Sequence, residues 1–304
     1  MKSSIILVFL FLFEYGFGQD RKILFVDSLT HVPIEYYRIF TSNNQYVSYG
    51  DSVGYCNIDE YFVKTTDTLL FYHISYPKMK FSPNSSLDTL FISKKSYLIK
   101  EIVINTGNGK TTIKKIGCKK NSSGLVFLGP TGIIGIFLNK PIKGKKIKIK
   151  SFNIHISKES YEPTQKFRIH LFNGNNNIFP GQDILCENVY LKGGTNGGWV
   201  NIDLSRYDIE FPDEGVIASI ECLGSKRSNV IYLENIKKIK ENKGEKLEVD
   251  WLKDIIISAG NKTINCNEKY IVWSKRGIGD WKKVDSISNY FTYPSIYLTV
   301  EIQE

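Results

Sequence analysis

Short runs in which apolar and polar residues alternate recur along this chain from residue 22 to residue 302, divided by turn-forming residues. Alternation is the period of a β-strand, because successive side chains of a strand point to opposite faces. Alanine, the best helix former, occurs at only two of 304 positions, whereas β-branched and aromatic residues are abundant. The sequence therefore predicts an all-β protein.

The N-terminus has the order of features found in a secretory signal peptide. A lysine is followed by an apolar run over residues 5–13 and by small residues at Gly16 and Gly18. We expect residues 1–18 to be removed on export; the alternative is that they form a buried first strand. The apolar run is shorter than the ~20 residues of a membrane-spanning helix, so no transmembrane segment is expected after cleavage. The predicted location is the periplasm, the outer-membrane surface or the medium.

Residues 19–104 are predicted to form a seven-stranded β-sandwich. Asp27 and Thr30 can close a side-chain-to-backbone turn, and Gly54 allows a tight turn before the next strand. Alternation places Cys56 on the core side of its strand. The predicted strands are residues 22–27, 34–41, 46–48, 55–59, 68–74, 89–92 and 97–104.

Four stretches of this region carry a family resemblance, namely residues 27–34, 51–58, 67–76 and 98–104. In their order and spacing they resemble the carboxypeptidase-like regulatory domain family. The resemblance implies a transthyretin-like sandwich of a kind common in exported proteins of the Bacteroidetes. It implies no peptidase activity.

Residues 105–124 are rich in Gly, Asn, Ser and Lys and are predicted to form a linker. The charge of the chain changes at this point. Residues 19–105 hold nine basic and nine acidic side chains, whereas residues 106–304 hold 30 and 21. The whole net charge of +9 therefore belongs to the second part of the chain.

Residues 125–304 alternate again, and about ten short strands favour a jelly-roll-like β-sandwich as a second domain. The stretches 151–156, 167–172 and 199–205 are generally similar to bacterial carbohydrate-binding sandwiches. The predicted strands are residues 146–150, 152–156, 167–172, 189–191, 199–204, 216–222, 230–233, 254–258, 270–273 and 295–302.

Three lysines, Lys146, Lys148 and Lys150, alternate with two isoleucines and should therefore lie on one face of a strand. The first interpretation is a solvated face that discourages edge pairing. The alternative is a binding surface for an acidic polysaccharide, lipopolysaccharide or acidic protein. A nucleic-acid partner is not expected, because the run lacks interleaved aromatic residues and the protein is predicted to be exported.

Four tryptophans all fall in the second part of the chain. Trp199 opens an alternating strand, and its predicted place is the core. Trp281 is flanked by glycines and charges, which favours an exposed platform on which a sugar ring could stack.

No sequence motif in the chain indicates catalysis or a metal site. The four histidines and five cysteines show no zinc-ligand spacing, and nucleophile-elbow, phosphate-loop and dinucleotide-binding motifs are missing from the sequence. His155 and His170 could lie on neighbouring strands, where a metal site is conceivable, but hydrogen-bonded strand histidines are the simpler interpretation. Two disulfides and one thiol remain possible, with a buried thiol preferred for Cys56.

The sequence thus predicts an exported, non-catalytic binding or assembly protein of the bacterial envelope, with no cofactor. Its partner would be an envelope protein or a polysaccharide, and an acidic one would fit the charge. The alternatives are a carbohydrate-binding accessory protein and an enzyme whose site on the second domain matches no known motif.

Overall fold

The computed structural model divides the chain into two compact units, Met1–Lys95 and Ser96–Glu304. Residues 1–18, the predicted signal peptide, lie outside the described residues. Among the residues that are described, no helix is both long and apolar enough to cross a membrane. The structure describes residues 21–43, 45–58, 68–83, 88–95, 110–119, 124–128, 130, 132–156, 166–175, 179–185, 187–192, 197–224, 229–230, 233–234, 256–261, 270–276, 279–284 and 292–303.

The smaller unit contains seven described strands, six of which overlap predicted strands. Three of them form one sheet in the order β4-β1-β7, and four form a second sheet in the order β3-β2-β5-β6. The predicted strand 97–104 lies outside the described residues, and the short strand β6 was not predicted. The strands are β1 (Arg21–Asp27), β2 (Arg38–Thr41), β3 (Tyr46–Tyr49), β4 (Tyr55–Ile58), β5 (Leu69–Tyr72), β6 (Met79–Phe81) and β7 (Thr89–Ile92).

Aromatic side chains fill the space between these two sheets. The Phe25 ring lies 4.8 Å from that of Phe71, 5.4 Å from that of Phe81 and 4.7 Å from that of Tyr37. Because Phe25 belongs to one sheet and Phe71 and Phe81 to the other, these contacts join the two layers. Cys56 faces this core with only 2% exposure, as its alternating strand predicted.

The predicted turns form through side-chain acceptors. Asp27 Oδ1 accepts hydrogen bonds from the backbone N–H groups of Leu29 and Thr30, at 3.0 and 2.9 Å. Its second oxygen accepts a hydrogen bond from the Tyr76 hydroxyl at 2.9 Å. Gly54 adopts φ +82°, a value that glycine alone reaches without strain.

The larger unit contains fifteen described strands, β8 to β22. All of its strand pairs are antiparallel. The strands are β8 (Thr111–Gly117), β9 (Gly124–Phe127), β10 (Gly132–Leu138), β11 (Ile147–Ile156), β12 (Lys166–Gly174), β13 (Pro180–Asp183), β14 (Val189–Lys192), β15 (Gly198–Asp203), β16 (Ile209–Glu210), β17 (Val216–Gly224), β18 (Ile256–Asn261), β19 (Val272–Arg276), β20 (Lys282–Lys283), β21 (Thr292–Pro294) and β22 (Ile296–Gln303).

Two sheets of this unit enclose one apolar core. The seven-stranded sheet runs β13-β12-β17-β10-β19-β20, with β14 on β12. The eight-stranded sheet runs β21-β18-β11-β22-β8, with β15 and β16 on β11 and β9 on β18. Alternate residues of β12 and β17 meet alternate residues of β11 and β22 in a single cluster. The chain is therefore all-β, as predicted, with a two-layer arrangement in the larger unit.

Two predictions about local structure are wrong. The linker predicted over residues 105–124 contains β8, which pairs with β22 along its whole length. The threonines and lysines of β8 suit an exposed edge strand. The same residue types are common in linkers, so composition did not distinguish the strand from a linker. Residues 230 and 233 are helical instead of extended, because a short apolar run fits one face of a helix as well as a strand.

Candidate functional site

The outward face of the eight-stranded sheet carries a group of aromatic and amide side chains, here called the Trp199 face. It comprises Asn153, His155, Trp199, Asn201 and Tyr297. They come from three adjacent strands, because β11 pairs with β15 on one side and with β22 on the other. In the register of these pairs, His155 lies opposite Trp199, and Asn153 lies opposite both Asn201 and Tyr297.

Trp199 is the exposed centre of this face. It remains 38% exposed although it sits within a strand. Its ring contacts the rings of His155 at 5.3 Å and Tyr297 at 4.9 Å, both edge to face. Two neighbours therefore hold the indole, so that little rotamer freedom remains to be lost on contact with a ligand. The predicted core position of Trp199 is wrong.

A line of hydrogen bonds runs beside the rings. Asn201 Nδ2 donates to Asn153 Oδ1 at 2.6 Å, and Asn153 Nδ2 donates to Ser151 Oγ at 3.0 Å and Thr299 Oγ1 at 3.3 Å. Asn153 is buried and Asn201 is exposed. The buried amide thus orients the exposed amide, which presents polar atoms to solvent next to the indole.

Lys115 provides a positive charge at the edge of the Trp199 face. Lys115 of β8 lies opposite Thr299 of β22, and its Nζ stands 5.3 Å from the centre of the Tyr297 ring. Burial lowers the pKa of His155 on the same face. His155 is therefore neutral at pH 7, and the positive charge of this region comes from Lys115.

The structure places the predicted lysines on the same sheet but beyond the aromatic residues. Ile147 and Ile149 point into the core and Lys148 points outward, as the alternation predicted. Lys148 forms an ion pair with Asp208, and Lys150 lies 3.7 Å from Glu301. Lys146 precedes β11 and is half-buried. Two of the three predicted charges are thus balanced within the chain.

Trp281 directly precedes β20 of the seven-stranded sheet and does not lie near these lysines. It is half-buried, with its ring 5.2 Å from that of the buried Phe172. The Nζ of Lys275 stands 5.9 Å from the Trp281 ring. The indole predicted as an open platform is thus packed against β12, and it is less exposed than Trp199.

A group of ionisable side chains lies on the seven-stranded sheet. His170 Nδ1 is 2.8 Å from Asp183 Oδ2, and its Nε2 is 3.1 Å from Glu221 Oε2. Arg168 Nη1 is 3.5 Å from the same Glu221 oxygen. Burial alone would lower the pKa of His170, but hydrogen bonds and the charges of Asp183 and Glu221 raise it.

This second group is sealed from solvent. His170 and Arg168 are 0% and 1% exposed, so a ligand has no route to them through the described residues. Four charges of alternating sign balance one another when His170 is protonated, which makes the group a structural ion network. His155 and His170 lie in different sheets, so the metal site considered for them does not form. No cluster of metal-ligating side chains occurs among the described residues.

The described cysteines are buried thiols. Cys56, Cys118 and Cys222 take part in no disulfide. Burial raises the pKa of Cys56 to about 12, so its thiolate is not populated at neutral pH. Cys186 and Cys266 lie outside the described residues.

Reasoning from the sequence missed Asn201 and Tyr297 and assigned Trp199 to the core. A usable signal was present, because Trp199, Asn201 and Asp203 alternate with Val200 and Ile202. The two aliphatic residues are expected to face the core, so the tryptophan must face outward. The pairing of Tyr297 with this strand set depends on a contact across more than 90 residues, which alternation alone does not reveal.

Comparisons with protein-family models and with curated proteins found no match. Among solved structures, the chain is similar to the cysteine protease and lectin-like domains of Cwp84, a surface layer associated protein of Clostridium difficile. The identity is 8% and the TM-score 0.38, over 82% of this chain and 48% of that chain. The chain thus spans about half the length of that structure, and a likeness of this size carries no functional argument. The carboxypeptidase-like resemblance stays a prediction.

Proposed function

We propose that this protein is an exported, non-catalytic binding protein that holds a polysaccharide of the bacterial envelope on the Trp199 face. The observation that carries the proposal is the exposed indole of Trp199, held edge to face by His155 and Tyr297. An aromatic face fixed in this way can cover the apolar face of a sugar ring.

The polar surroundings of the indole support a sugar over an apolar partner. The exposed Asn201 amide and the nearby Thr299 hydroxyl can exchange hydrogen bonds with sugar hydroxyls. Buried Asn153 holds both groups in place. A binding site that combines apolar contact with a few oriented polar groups discriminates by geometry as well as by area.

The position of the site on an outward face of the sheet supports an extended polymer. Ser151, Asn153 and His155 are spaced at every second residue along β11, and each has a register partner on β15. At roughly 3.4 Å per residue, they span about 14 Å along the strand. A small enclosed molecule would need a cavity, whereas a polysaccharide can lie across such a surface.

The export part of the proposal is supported by the charge, apolar run and small residues of residues 1–18. N-terminal sequencing of secreted material tests it separately. A mature chain starting near Gln19 is expected, and an intact Met1 on the exported protein would contradict it.

The binding site is tested with Trp199→Ala and polysaccharides in affinity gel electrophoresis. Loss of a central, well-held aromatic contact costs about 2 kcal/mol, so we expect about 30-fold weaker binding, measured as reduced retardation in the gel. Tryptophan fluorescence of the unsubstituted protein should change on binding, because the indole becomes covered.

Phe91→Ala is the matched control for this experiment. Phe91 is an exposed aromatic residue of the smaller unit, 55% accessible, and its removal should leave binding unchanged. Trp281→Ala tests the platform predicted from the sequence. If Trp281→Ala weakens binding and Trp199→Ala does not, the site lies on the other sheet and the assignment fails.

A further inference from the structure

We infer that the polysaccharide on the Trp199 face is anionic and that Lys115 contacts its carboxylate or sulfate groups. This inference rests on the proposed function and adds the chemical class of the ligand. Its basis is the juxtaposition of a fixed aromatic surface with an exposed ammonium group at its edge.

The aromatic surface and the cation are continuous. Trp199 contacts Tyr297, and Tyr297 lies beneath the Nζ of Lys115. Gly117 is the register partner of Tyr297 on β8. Because glycine has no side chain, no side chain from β8 covers the Tyr297 ring at that pair. A sugar ring stacked on the adjoining Trp199 indole would direct its substituents toward Lys115.

Lys115 also differs in its charge environment from Lys148 and Lys150, the two lysines of β11 that lie near carboxylates. Lys148 forms an ion pair with Asp208, and Lys150 Nζ lies 3.7 Å from Glu301. Within the part of the chain that the structure describes, no ion pair involves Lys115. Its position is held by contact with the Tyr297 ring, which leaves its charge available to a ligand.

The net positive charge of residues 106–304 also favours an anionic ligand. The net +9 of the chain resides in residues 106–304, so an anionic polymer is attracted at long range before contact. Asp203 and Glu301 are acidic residues on the same face. Asp203 is three strand spacings, about 14 Å, away from Lys115 in the same row of the sheet. Glu301 lies on the adjacent strand β22, two residues beyond the register partner of Lys115, and its carboxylate is 3.7 Å from Lys150. Among the described residues, neither carboxylate forms an ion pair with Lys115.

Matched pairs of probes test the inference. Polygalacturonate is compared with its methyl ester, and dextran sulfate with dextran, so that each pair differs only in the anionic group. We expect the unsubstituted protein to prefer the anionic member of at least one pair. The pair that shows the preference distinguishes carboxylate from sulfate recognition.

The residue is tested with Lys115→Gln and Lys115→Arg. Removing one exposed charge contact should weaken binding of the anionic probe about 5-fold and flatten its salt dependence. Binding of the neutral probe should not change, and Lys115→Arg should restore the anionic preference. Lys282→Gln removes an exposed lysine from the other sheet and serves as the control for a general charge effect.

The outcomes separate the inference from the proposed function. Equal binding of neutral and anionic probes, with Trp199→Ala weakening both, would keep the function and overturn the inference. The inference also falls if Lys115→Gln binds normally while a triple Gln variant of Lys146, Lys148 and Lys150 does not. If the unsubstituted protein binds none of the four probes, both fail.

Discussion

His170 lies on the side of β12 that points away from the core between the two large sheets, yet it is fully buried. It connects three strands, because Asp183 belongs to β13 and Glu221 to β17. Both ring nitrogens can donate to carboxylates only when the imidazole is protonated. The charge state of a single side chain therefore affects how β13 and β17 are held to β12.

The stability of the larger unit should depend on the protonation of His170. Its folded pKa is raised above the ordinary value of about 6.5. The contribution is therefore fully present below about pH 6.5 and is lost as the pH rises through the folded pKa. In His170→Gln this dependence should vanish, and the free energy of unfolding at pH 6 should fall by about 3 kcal/mol or more. Urea unfolding followed by tryptophan fluorescence reports this unit alone, because all four tryptophans lie in it.

His155→Gln is the control for this pH series. Burial lowers the pKa of His155, so its contribution has the opposite sign: it is present above about pH 6.5 and is lost as the pH falls through the lower folded pKa. An unchanged pH dependence in His170→Gln would show that the imidazole is neutral in the folded protein, with one of the carboxyl groups carrying the proton.

At the scale of elements, β10 shows why some strands escape prediction. All seven of its residues are buried, and it lies between β17 and β19. A strand covered on both faces shows no alternation, so its sequence of Ile, Gly, Phe and Leu resembles any apolar run. By contrast, the first part of β11 was predicted from its alternating lysines and isoleucines, because only one of its faces is buried over residues 147–150.

Gly135 tests the close packing of β10. A Cβ built on Gly135 would lie 2.0 Å from Ser219 Oγ and 2.8 Å from Ser219 Cβ. Ser219 is its register partner on β17, so Gly135→Ala forces the two central strands apart. We expect a loss of about 1–3 kcal/mol in the free energy of unfolding.

A double-mutant cycle with Ser219→Gly isolates this contact. Removing the serine side chain should reduce the cost of Gly135→Ala, giving a favourable coupling of about 1 kcal/mol. Additive effects would mean that the remaining contact, with the Ala218 carbonyl oxygen at 2.9 Å, limits the site.

The candidate site could be predicted only in part, because the pattern of a single strand does not show how strands pair. Alternation within one strand correctly turned Lys148 outward, and applied to β15 it also turns Trp199 outward. It contains no information about which strands become neighbours. The contacts of Trp199 with Tyr297, and of Tyr297 with Lys115, join residues far apart in sequence, and these contacts define the binding face.

At the scale of the whole molecule, β8 determines where the larger unit begins. It forms an edge of the eight-stranded sheet and pairs with β22 over residues 111–117. Ile116 packs against the core, and Cys118, immediately after the strand, is fully buried within it. The larger unit therefore includes residues 111–118, which composition assigned to the linker.

Two fragments test this boundary, one starting at residue 106 and one starting at residue 125. The shorter fragment loses the hydrogen bonds of β8 to β22, each worth about 1 kcal/mol, and the burial of Ile116. We expect its free energy of unfolding to be lower by on the order of 5 kcal/mol. It should also self-associate, because the edge of β22 is then open to pairing with another chain.

Urea unfolding and sedimentation measure the two effects. Equal stability and a monomeric state for both fragments would contradict the assignment of β8 to the larger unit. Since the shorter fragment also lacks Lys115, a stable monomeric form of it would further serve as a deletion test of anionic binding.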